Sequence, residues 1–224
     1  MARQMAESSV QPPRLSRRLN AACTTDLEDH AQVSQCLLAD QDRSGAVLAS
    51  LSFDQVLLRQ VLFQKARLTN LAFVDCRLER CDFSGTDLSN VRIRRSVFSG
   101  CRWMGAQFLQ PGLDDVLVVE CAGERASLVA ARMKAVRFEK CNFREAVFEG
   151  CDMSGVVFDH CDLSGADLHG SLLAGADFRT SCLDGLRASP HDLQGMIIVP
   201  SQAVQVAGLF GVVVKEEDEA DPLL

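Results

Sequence analysis

Cysteine is the residue type in this chain whose spacing most suggests chemistry. Five of the 10 cysteines recur at one constant interval along the chain: Cys81, Cys101, Cys121, Cys141 and Cys161. Thiols stacked at a fixed interval in a repeating structure could form disulfides or bind a metal ion. However, side chains that point in parallel do not face one another, and no histidine shares this interval to complete a zinc site. We therefore favour the alternative that each thiol is a small apolar side chain in a buried column.

No other group of residues has the pattern of an active site. The four histidines, His30, His160, His169 and His191, are scattered along the chain. Neither a glycine-rich phosphate loop nor a nucleophile elbow is present. The sequence thus predicts no catalytic residues, no metal site and no cofactor, and a protein that is not an enzyme.

The bulk composition is typical of a soluble, folded chain. Of the 224 residues, 47% are hydrophobic and 24% are charged. No apolar stretch approaches the roughly 20 residues that span a bilayer, and the N-terminal residues lack the apolar core of a signal peptide. We therefore expect a cytoplasmic protein without membrane contact. The net charge of −7 argues against direct nucleic-acid binding but permits a basic protein partner.

A hydrophobic period of five residues determines where the cysteines and histidines lie in the fold. Between residues 48 and 183, every position ending in 3 or 8 is large and apolar except Gly123. Eleven of the 12 phenylalanines lie at these positions. Two residues before each of them the chain mostly carries a small or β-branched side chain, such as Cys, Ala, Ser, Thr or Val. Neither the 3.6-residue period of a helix nor the two-residue alternation of a strand produces this pattern.

This period predicts a square coil. One large and one small inward side chain every five residues require the chain to turn a corner each time, and the frequent Gly, Asn and Asp at the fifth position tolerate a left-handed backbone there. Four corners, each five residues apart, complete one coil, and coils stack at about the 4.8 Å spacing of neighbouring strands. The sequence therefore predicts an all-β solenoid, a right-handed quadrilateral β-helix, over residues 26–185.

The five-residue unit resembles a known family. Its pattern is (Ala/Cys/Ser/Thr/Val)-(Asp/Asn)-(Leu/Phe)-x-x, as in Cys81-Asp82-Phe83-Ser84-Gly85, and it covers more than two thirds of the chain. This pattern resembles the pentapeptide-repeat family. The segment Arg102-Trp103-Met104-Gly105-Ala106-Gln107 also resembles a segment of the plasmid-borne quinolone-resistance members of that family.

The chain ends do not follow the repeat. We expect residues 1–25 to be a flexible segment and residues 215–224 to be an acidic tail that keeps the protein soluble. Between them, residues 186–214 predict a short helix capped by Ser201 and closed by Gly211, followed by a strand at 212–214.

This helix and strand are interpreted as either a cap on the last coil or a dimerisation module. In the gyrase-binding members that the chain resembles, a C-terminal helix and strand join two rods end to end, and the resemblance favours a homodimer. The residues expected to form the dimer contact are apolar: Val204, Leu209, Phe210, Val212 and Val214.

Two irregular positions in the register lead to structural predictions. Arg43 is a charged residue at a core position, so we expect a bulge or outward loop there. Gly123 lacks a core side chain between Trp103 and Phe143, its neighbours in the adjacent coils, and we expect the large indole of Trp103 to lean into that space.

Charge is distributed unevenly along the predicted rod. Residues 58–103 contain nine Lys or Arg and four acids, a net of +5 (9 − 4), whereas residues 138–185 contain nine acids and three Lys or Arg, a net of −6 (3 − 9). Two rods joined at their C-terminal ends would have a negative centre, and carboxylates on a stiff rod could replace DNA phosphates. The candidate partner-binding residues are acidic: Glu139, Asp152, Asp159, Asp162, Asp167 and Asp177.

The resemblance implies a non-enzymatic DNA mimic that binds a type II topoisomerase, DNA gyrase, and modulates it or protects it from quinolone-like inhibitors. Two alternatives remain open. Asp is common at the second repeat position because it suits the corners, so the acidic side chains on the rod do not require a binding partner to explain them. The rod could also be a structural scaffold that binds an unrelated protein.

Overall fold

The computed structural model describes residues 10–16, 19 and 27–215. Most of the predicted flexible segment, residues 1–25, and almost all of the predicted acidic tail, residues 215–224, lie outside the described part of the chain. In the described N-terminal stretch, the backbone N–H groups of Gln11 and Arg14 donate to Asp115 Oδ1 at 3.2 Å and to Asp75 Oδ1 at 3.0 Å.

The described residues form short strands and one α-helix. The strands are β1 Gln32–Ser34, β2 Leu37–Ala39, β3 Val47–Ala49, β4 Ser52–Asp54, β5 Leu57–Arg59, β6 Arg67–Thr69, β7 Ala72–Val74, β8 Arg77–Glu79, β9 Arg92–Ser99, β10 Gln107–Leu109, β11 Gly112–Val119, β12 Ser127–Val129, β13 Arg132–Glu139 and β14 Val157–Asp159. The helix α1 is Pro200–Ala207, and a 3₁₀ turn follows at Gly208–Phe210.

Every strand pair among the described residues is parallel and joins each residue to the one that stands a full coil later in the chain. For example, β11 pairs with β9 through Gly112 and Arg92, and with β13 through Gly112 and Arg132. Isolated bridges extend the same register as far as Asp177 and Ile197. The chain is therefore a parallel β-solenoid, and its fold class is the predicted right-handed quadrilateral β-helix.

Left-handed corners close each coil. Every fifth residue from His30 to Gly185 has a positive φ, except Thr180. About half of these corners carry a side chain that is neither Gly, Asn nor Asp, such as Gln55 (φ 56°) and Ala130 (φ 53°). The left-handed conformation costs about 1–2 kcal/mol for a residue with a Cβ. Packing of the inward residues and the ladder hydrogen bonds must offset that cost.

The inward positions form one continuous core. The phenylalanines stack in columns: the Phe138 and Phe158 ring centroids are 4.9 Å apart, and those of Phe158 and Phe178 are 4.7 Å apart. All three rings are at most 1% exposed. Burial of each such side chain contributes roughly 1.5–3 kcal/mol, so the core is the main stabilising element of the rod.

Phe143, rather than Trp103, fills the space beside Gly123. A Cβ atom added to Gly123 would lie 2.5 Å from Cε1 and 2.7 Å from Cδ1 of Phe143. The indole of Trp103 packs against Phe98 and Phe108, with centroid distances of 5.2 and 5.3 Å. The prediction for the indole is therefore wrong, because the ring of the following coil leans back over the missing side chain.

The bulge expected at Arg43 does not form. The Arg43 N–H donates to the Leu62 carbonyl at 2.7 Å, and Asp42 forms a parallel bridge with Leu62. The ladder continues because the backbone makes its hydrogen bonds whatever side chain stands at the position.

The C-terminal module contains the predicted helix but not the predicted strand. Residues 212–215 form no strand, and the Val212 N–H donates instead to the Ala207 carbonyl at 3.3 Å. Ser201 does not cap α1. Val199 is the N-cap residue, and its N–H donates to the Gln202 side-chain oxygen at 2.9 Å. Gly211 ends the 3₁₀ turn in a left-handed conformation, φ 71°, as its position suggested.

A buried glutamine holds α1 on the last coil. The Gln202 side-chain amide donates to the carbonyl oxygens of Phe178 at 2.7 Å and Ser181 at 2.6 Å. Val206, one turn later on α1, is also buried against the core. The helix therefore covers the exposed end of the solenoid.

Candidate partner-binding surface

The solenoid presents four faces, which the ladder register defines. We call them faces A to D. Face A carries residues 92–94, 112–114, 132–134 and 152–154; face B carries 137–139, 157–159 and 177–179; face C carries 142–144 and 162–164; face D carries 147–149 and 167–169.

The six candidate acidic residues do not share one surface. Glu139, Asp159 and Asp177 lie on face B, where Glu139 and Asp159 are ladder neighbours. The other three lie on separate faces: Asp152 on face A and Asp162 on face C, and Asp167 on face D. Face B is therefore the only face in the described rod on which several of these six carboxylates meet.

Arginines neutralise much of the charge on face B. Arg137 lies between two of the acids: its Nε is 2.5 Å from Glu139 Oε1 and its Nη2 is 2.6 Å from Asp159 Oδ2. Asp177 is paired with Arg179 at 2.7 Å. The three carboxylates and two guanidinium groups leave face B with one excess negative charge.

Hydrogen bonds keep these carboxylates ionised. The Thr180 hydroxyl donates to Asp159 Oδ1 at 2.9 Å, and with His160 and Arg137 it lowers the pKa of Asp159. The Arg179 guanidinium likewise lowers the pKa of Asp177. Both groups are negative at neutral pH.

The candidates on the other faces differ in how far they are paired. Asp162 accepts from Ser164 Oγ at 2.6 Å and lies 3.1 Å from Arg144. Asp167 accepts from His169 Nδ1 at 2.6 Å. Asp152 is exposed, and no described cation lies within ion-pair distance of it.

Two of the neutralising arginines lie just outside the negative stretch of the chain. Arg137 and Arg187 flank residues 138–185, and both pair with acids inside it. Over residues 137–187 the balance becomes −4, from nine acids and five Lys or Arg. The ladder register pairs Arg137 with Val157, two residues before Asp159, so a count along the ladder rather than along the chain includes Arg137 among these acids.

The C-terminal end of the rod carries exposed apolar side chains. Val213 is 79% exposed, Val204 56% and Phe210 55%. Val212 and Val214 are also exposed, whereas Leu209 packs partly against the core. Four of the five residues predicted to form a dimer contact are thus available to a partner.

The cysteine column is a packing feature. Its five thiols are at most 3% exposed and free. The pKa shifts alternate along the column: hydrogen bonding to the Cys101 thiol and burial raise the pKa of Cys81, whereas hydrogen bonds with the Cys121 and Cys81 thiols lower the pKa of Cys101. Cys36, outside this column, is buried and disulfide-bonded. Within residues 10–16, 19 and 27–215, no cluster of three or more His, Cys, Asp or Glu could hold a metal ion.

No helix among the described residues is both long enough and apolar enough to cross a membrane.

Comparison with known families agrees with the repeat. A model described as "Pentapeptide repeat region" matches residues 71–146, and one described as "Pentapeptide repeats (9 copies)" matches residues 130–181. The chain is a pentapeptide-repeat protein. A search of curated proteins finds no match.

Solved structures of two other proteins are similar to this one. HetL, involved in heterocyst differentiation regulation in the cyanobacterium Nostoc sp., is 20% identical with a TM-score of 0.44, over 76% of this pentapeptide-repeat protein and 90% of HetL. QnrB1, a plasmid-mediated fluoroquinolone resistance protein, is 21% identical in a trypsin-treated form, with a TM-score of 0.38, over 88% of this chain and 95% of that one.

Proposed function

We propose that this pentapeptide-repeat protein is a non-enzymatic, cytoplasmic protein that binds DNA gyrase in place of DNA. Binding would modulate the enzyme or protect it from quinolone-like inhibitors. The observation that carries the proposal is the position of the exposed apolar end next to the negative half of the rod. The choice of gyrase among type II topoisomerases follows the sequence resemblance.

The apolar end supports a homodimer joined at the C-termini. Val212, Val213 and Val214 are exposed and have no strand partner in the described chain. Pairing with the same segment of a second copy would satisfy the backbone groups of Val213 and Val214 and remove the three valines from water. Such a dimer brings two negative halves together.

Face B is the surface that we assign to gyrase. Its carboxylates Glu139, Asp159 and Asp177 lie on a stiff ladder close to the dimer end, so they keep fixed positions when a basic groove approaches. Arg137 limits the net charge but also fixes the orientation of two carboxylates by ion pairs of 2.5 and 2.6 Å. Preorganised charge favours specificity and association rate more than affinity.

The test is a gyrase supercoiling assay with and without a quinolone. The wild-type protein should inhibit supercoiling or reduce the quinolone effect. A face B variant, Glu139→Gln/Asp159→Asn/Asp177→Asn, should require roughly tenfold more protein, since three charges contribute some tenths of a kcal/mol each. A matched control outside face B, Glu145→Gln/Glu149→Gln/Asp184→Asn, removes the same charge and should behave as wild type. Equal activity of both variants would contradict the assignment to face B.

A scaffold for an unrelated protein is the second candidate function. The observation in its favour is that five of the six candidate acids are already paired with basic side chains of the chain itself. Absence of inhibition, of quinolone rescue and of gyrase binding at low salt would leave this candidate alone.

A further inference from the structure

Gly112 is a glycine that the fold itself does not require. The other glycines of the described solenoid lie at left-handed corners, apart from the inward Gly123, whereas Gly112 lies at an outward strand position. Its φ is not positive, and a Cβ atom added to it would meet nothing within 4 Å. Glycine weakens a strand, and it often marks a place where a ligand approaches the backbone closely.

Arginines border this gap on both sides. Gly112 pairs in the ladder with Arg92 of the preceding coil and with Arg132 of the following coil. Two ladder steps, about 10 Å, therefore separate the Cα atoms of the two arginines. Both side chains are exposed, and no carboxylate of the described chain lies within ion-pair distance of either. We call Gly112 and these two arginines the Gly112 notch.

The Gly112 notch opens into a groove of about 710 Å³ along the edge between faces D and A. Asn70, Asn90 and Gln110 line the corner side of this groove and are exposed. Their side-chain amides make no hydrogen bond within the described chain, and each offers two N–H donors. The groove therefore combines unpaired guanidinium groups with unpaired amide donors.

The backbone at the floor of the groove is already engaged. The Gly112 N–H donates to the Val91 carbonyl at 2.9 Å, and the Arg132 N–H donates to the Pro111 carbonyl at 2.9 Å. Pro111 has no N–H to offer. A ligand in the notch must therefore be held by side chains.

The surroundings of the notch have an excess of positive charge. Arg94 and Lys134 lie on the neighbouring column of face A, with Asp114 between them in the ladder. The other acid that lines this surface is Asp152, one ladder step beyond Arg132. Four cations and two carboxylates leave a net charge of +2, and the column of Gly112 keeps both of its arginines unpaired.

We propose that the Gly112 notch binds a phosphate group, either inorganic phosphate or the phosphate of a small monoester. The phosphate lies over Gly112, and the guanidinium groups of Arg92 and Arg132 donate to its oxygens from opposite sides. The planar guanidinium group matches phosphate geometry with two parallel hydrogen bonds. A phosphate monoester carries close to two negative charges at neutral pH, which complements the local charge of +2.

A small molecule fits this groove better than a nucleic acid. Its volume is within the range of about 300–1,000 Å³ that is usual for small-molecule sites. No aromatic side chain on which a base could stack is among the residues that line it. The overall charge of −7 also repels a polyanion. In a bound ester, the amides of Asn90 and Gln110 donate to the polar groups of the organic part.

Calorimetric titration of the full-length protein at low salt tests this proposal, with inorganic phosphate and glycerol 3-phosphate as probes. Arg92→Ala/Arg132→Ala should weaken binding at least roughly tenfold, because charge-assisted hydrogen bonds are lost. Gly112→Leu keeps every charge but fills the notch, and it should weaken binding to a similar extent. Circular dichroism confirms that each variant is folded. The matched control is Lys65→Ala/Arg67→Ala, which removes two exposed cations elsewhere on the rod and should bind as wild type does.

The two probes distinguish the sources of the phosphate. Binding of glycerol 3-phosphate at least as tight as that of inorganic phosphate identifies an ester as the ligand, whereas tighter binding of inorganic phosphate identifies the free anion. No binding of either probe, unchanged affinity in folded Gly112→Leu, or an equal loss in the control would overturn the proposal. A single-stranded oligonucleotide that binds more tightly than both probes, and that both groove variants release, would assign the groove to nucleic acid instead.

Discussion

Replacing Gly123 with alanine should destabilise the rod through a single contact. The added Cβ would lie 2.5 Å from Phe143 Cε1, whereas carbon atoms prefer about 3.5–4.0 Å. The ring must therefore move by about 1 Å. It cannot do so freely, because it is fully buried between Phe138 and Phe148, with centroid distances of 5.2 and 5.5 Å. Overpacking of this kind costs about 1–3 kcal/mol.

Urea unfolding followed by circular dichroism measures this cost. Gly112→Ala is the matched control, because its Cβ meets nothing within 4 Å and neither glycine has a positive φ. The control should be neutral or more stable by up to about 1 kcal/mol, since alanine restricts the unfolded chain. The midpoint of Gly123→Ala should fall well below that of the control.

A second substitution identifies the contact. Phe143→Leu removes Cε1, so Gly123→Ala should cost less in that background, with a coupling of at least about 0.5 kcal/mol. Additive costs for Gly123→Ala and Phe143→Leu, or a Gly123→Ala protein as stable as Gly112→Ala, would refute the argument that Phe143 fills this space.

Three further substitutions or reactions test other parts of the fold. Ala130→Gly should raise the free energy of unfolding by roughly 0.5–1 kcal/mol, because it relieves the left-handed strain of a corner at φ 53°; an unchanged or lower urea midpoint would contradict this. Asp75→Asn should lower stability by roughly 1–3 kcal/mol at pH 7, because Arg95 loses its ion partner. The pKa of Asp75 is lowered in the folded state by Arg95, so its contribution is present above about pH 4 and is lost as the pH falls below that value. The difference in thermal unfolding midpoint between wild type and Asp75→Asn should therefore become smaller in acid. A difference independent of pH would contradict the ion pair. In alkylation by iodoacetamide, the partly exposed Cys182 should react in the native state, whereas Cys76, with a pKa raised by burial to about 12, should react only after unfolding. Modification of Cys76 before Cys182 in the native protein, as measured by mass spectrometry, would contradict this order.

The repeat could be predicted from the sequence because its signal is local. Each inward position, such as Phe158, is set by the few residues on either side of it, and the same spacing recurs without interruption through Arg43 and Gly123. The sequence predicts side-chain packing at the irregular positions less well, because that packing depends on neighbours in the adjacent coils. Phe143 reaches into the space of Gly123 for that reason.

The candidate site was harder to predict than the fold. The sequence identified the negative half of the rod, but the assignment of acids to faces depends on the ladder, and so does the pairing of Arg137 with both Glu139 and Asp159. At the C-terminus, the predicted strand does not form, since a strand requires a partner to accept its hydrogen bonds. The sequence does not indicate that Gln202 fixes α1, because a lone polar residue in a helix gives no sign that it will be buried.

Competition for gyrase is the most direct test of the proposed function. A labelled DNA segment bound to gyrase should be displaced by the wild-type protein in a gel-shift titration, with displacement weakened as salt rises. The face B variant, Glu139→Gln/Asp159→Asn/Asp177→Asn, should displace it roughly tenfold less well. Formation of a ternary complex of gyrase, DNA and this protein, with no loss of bound DNA at saturation, would contradict the account.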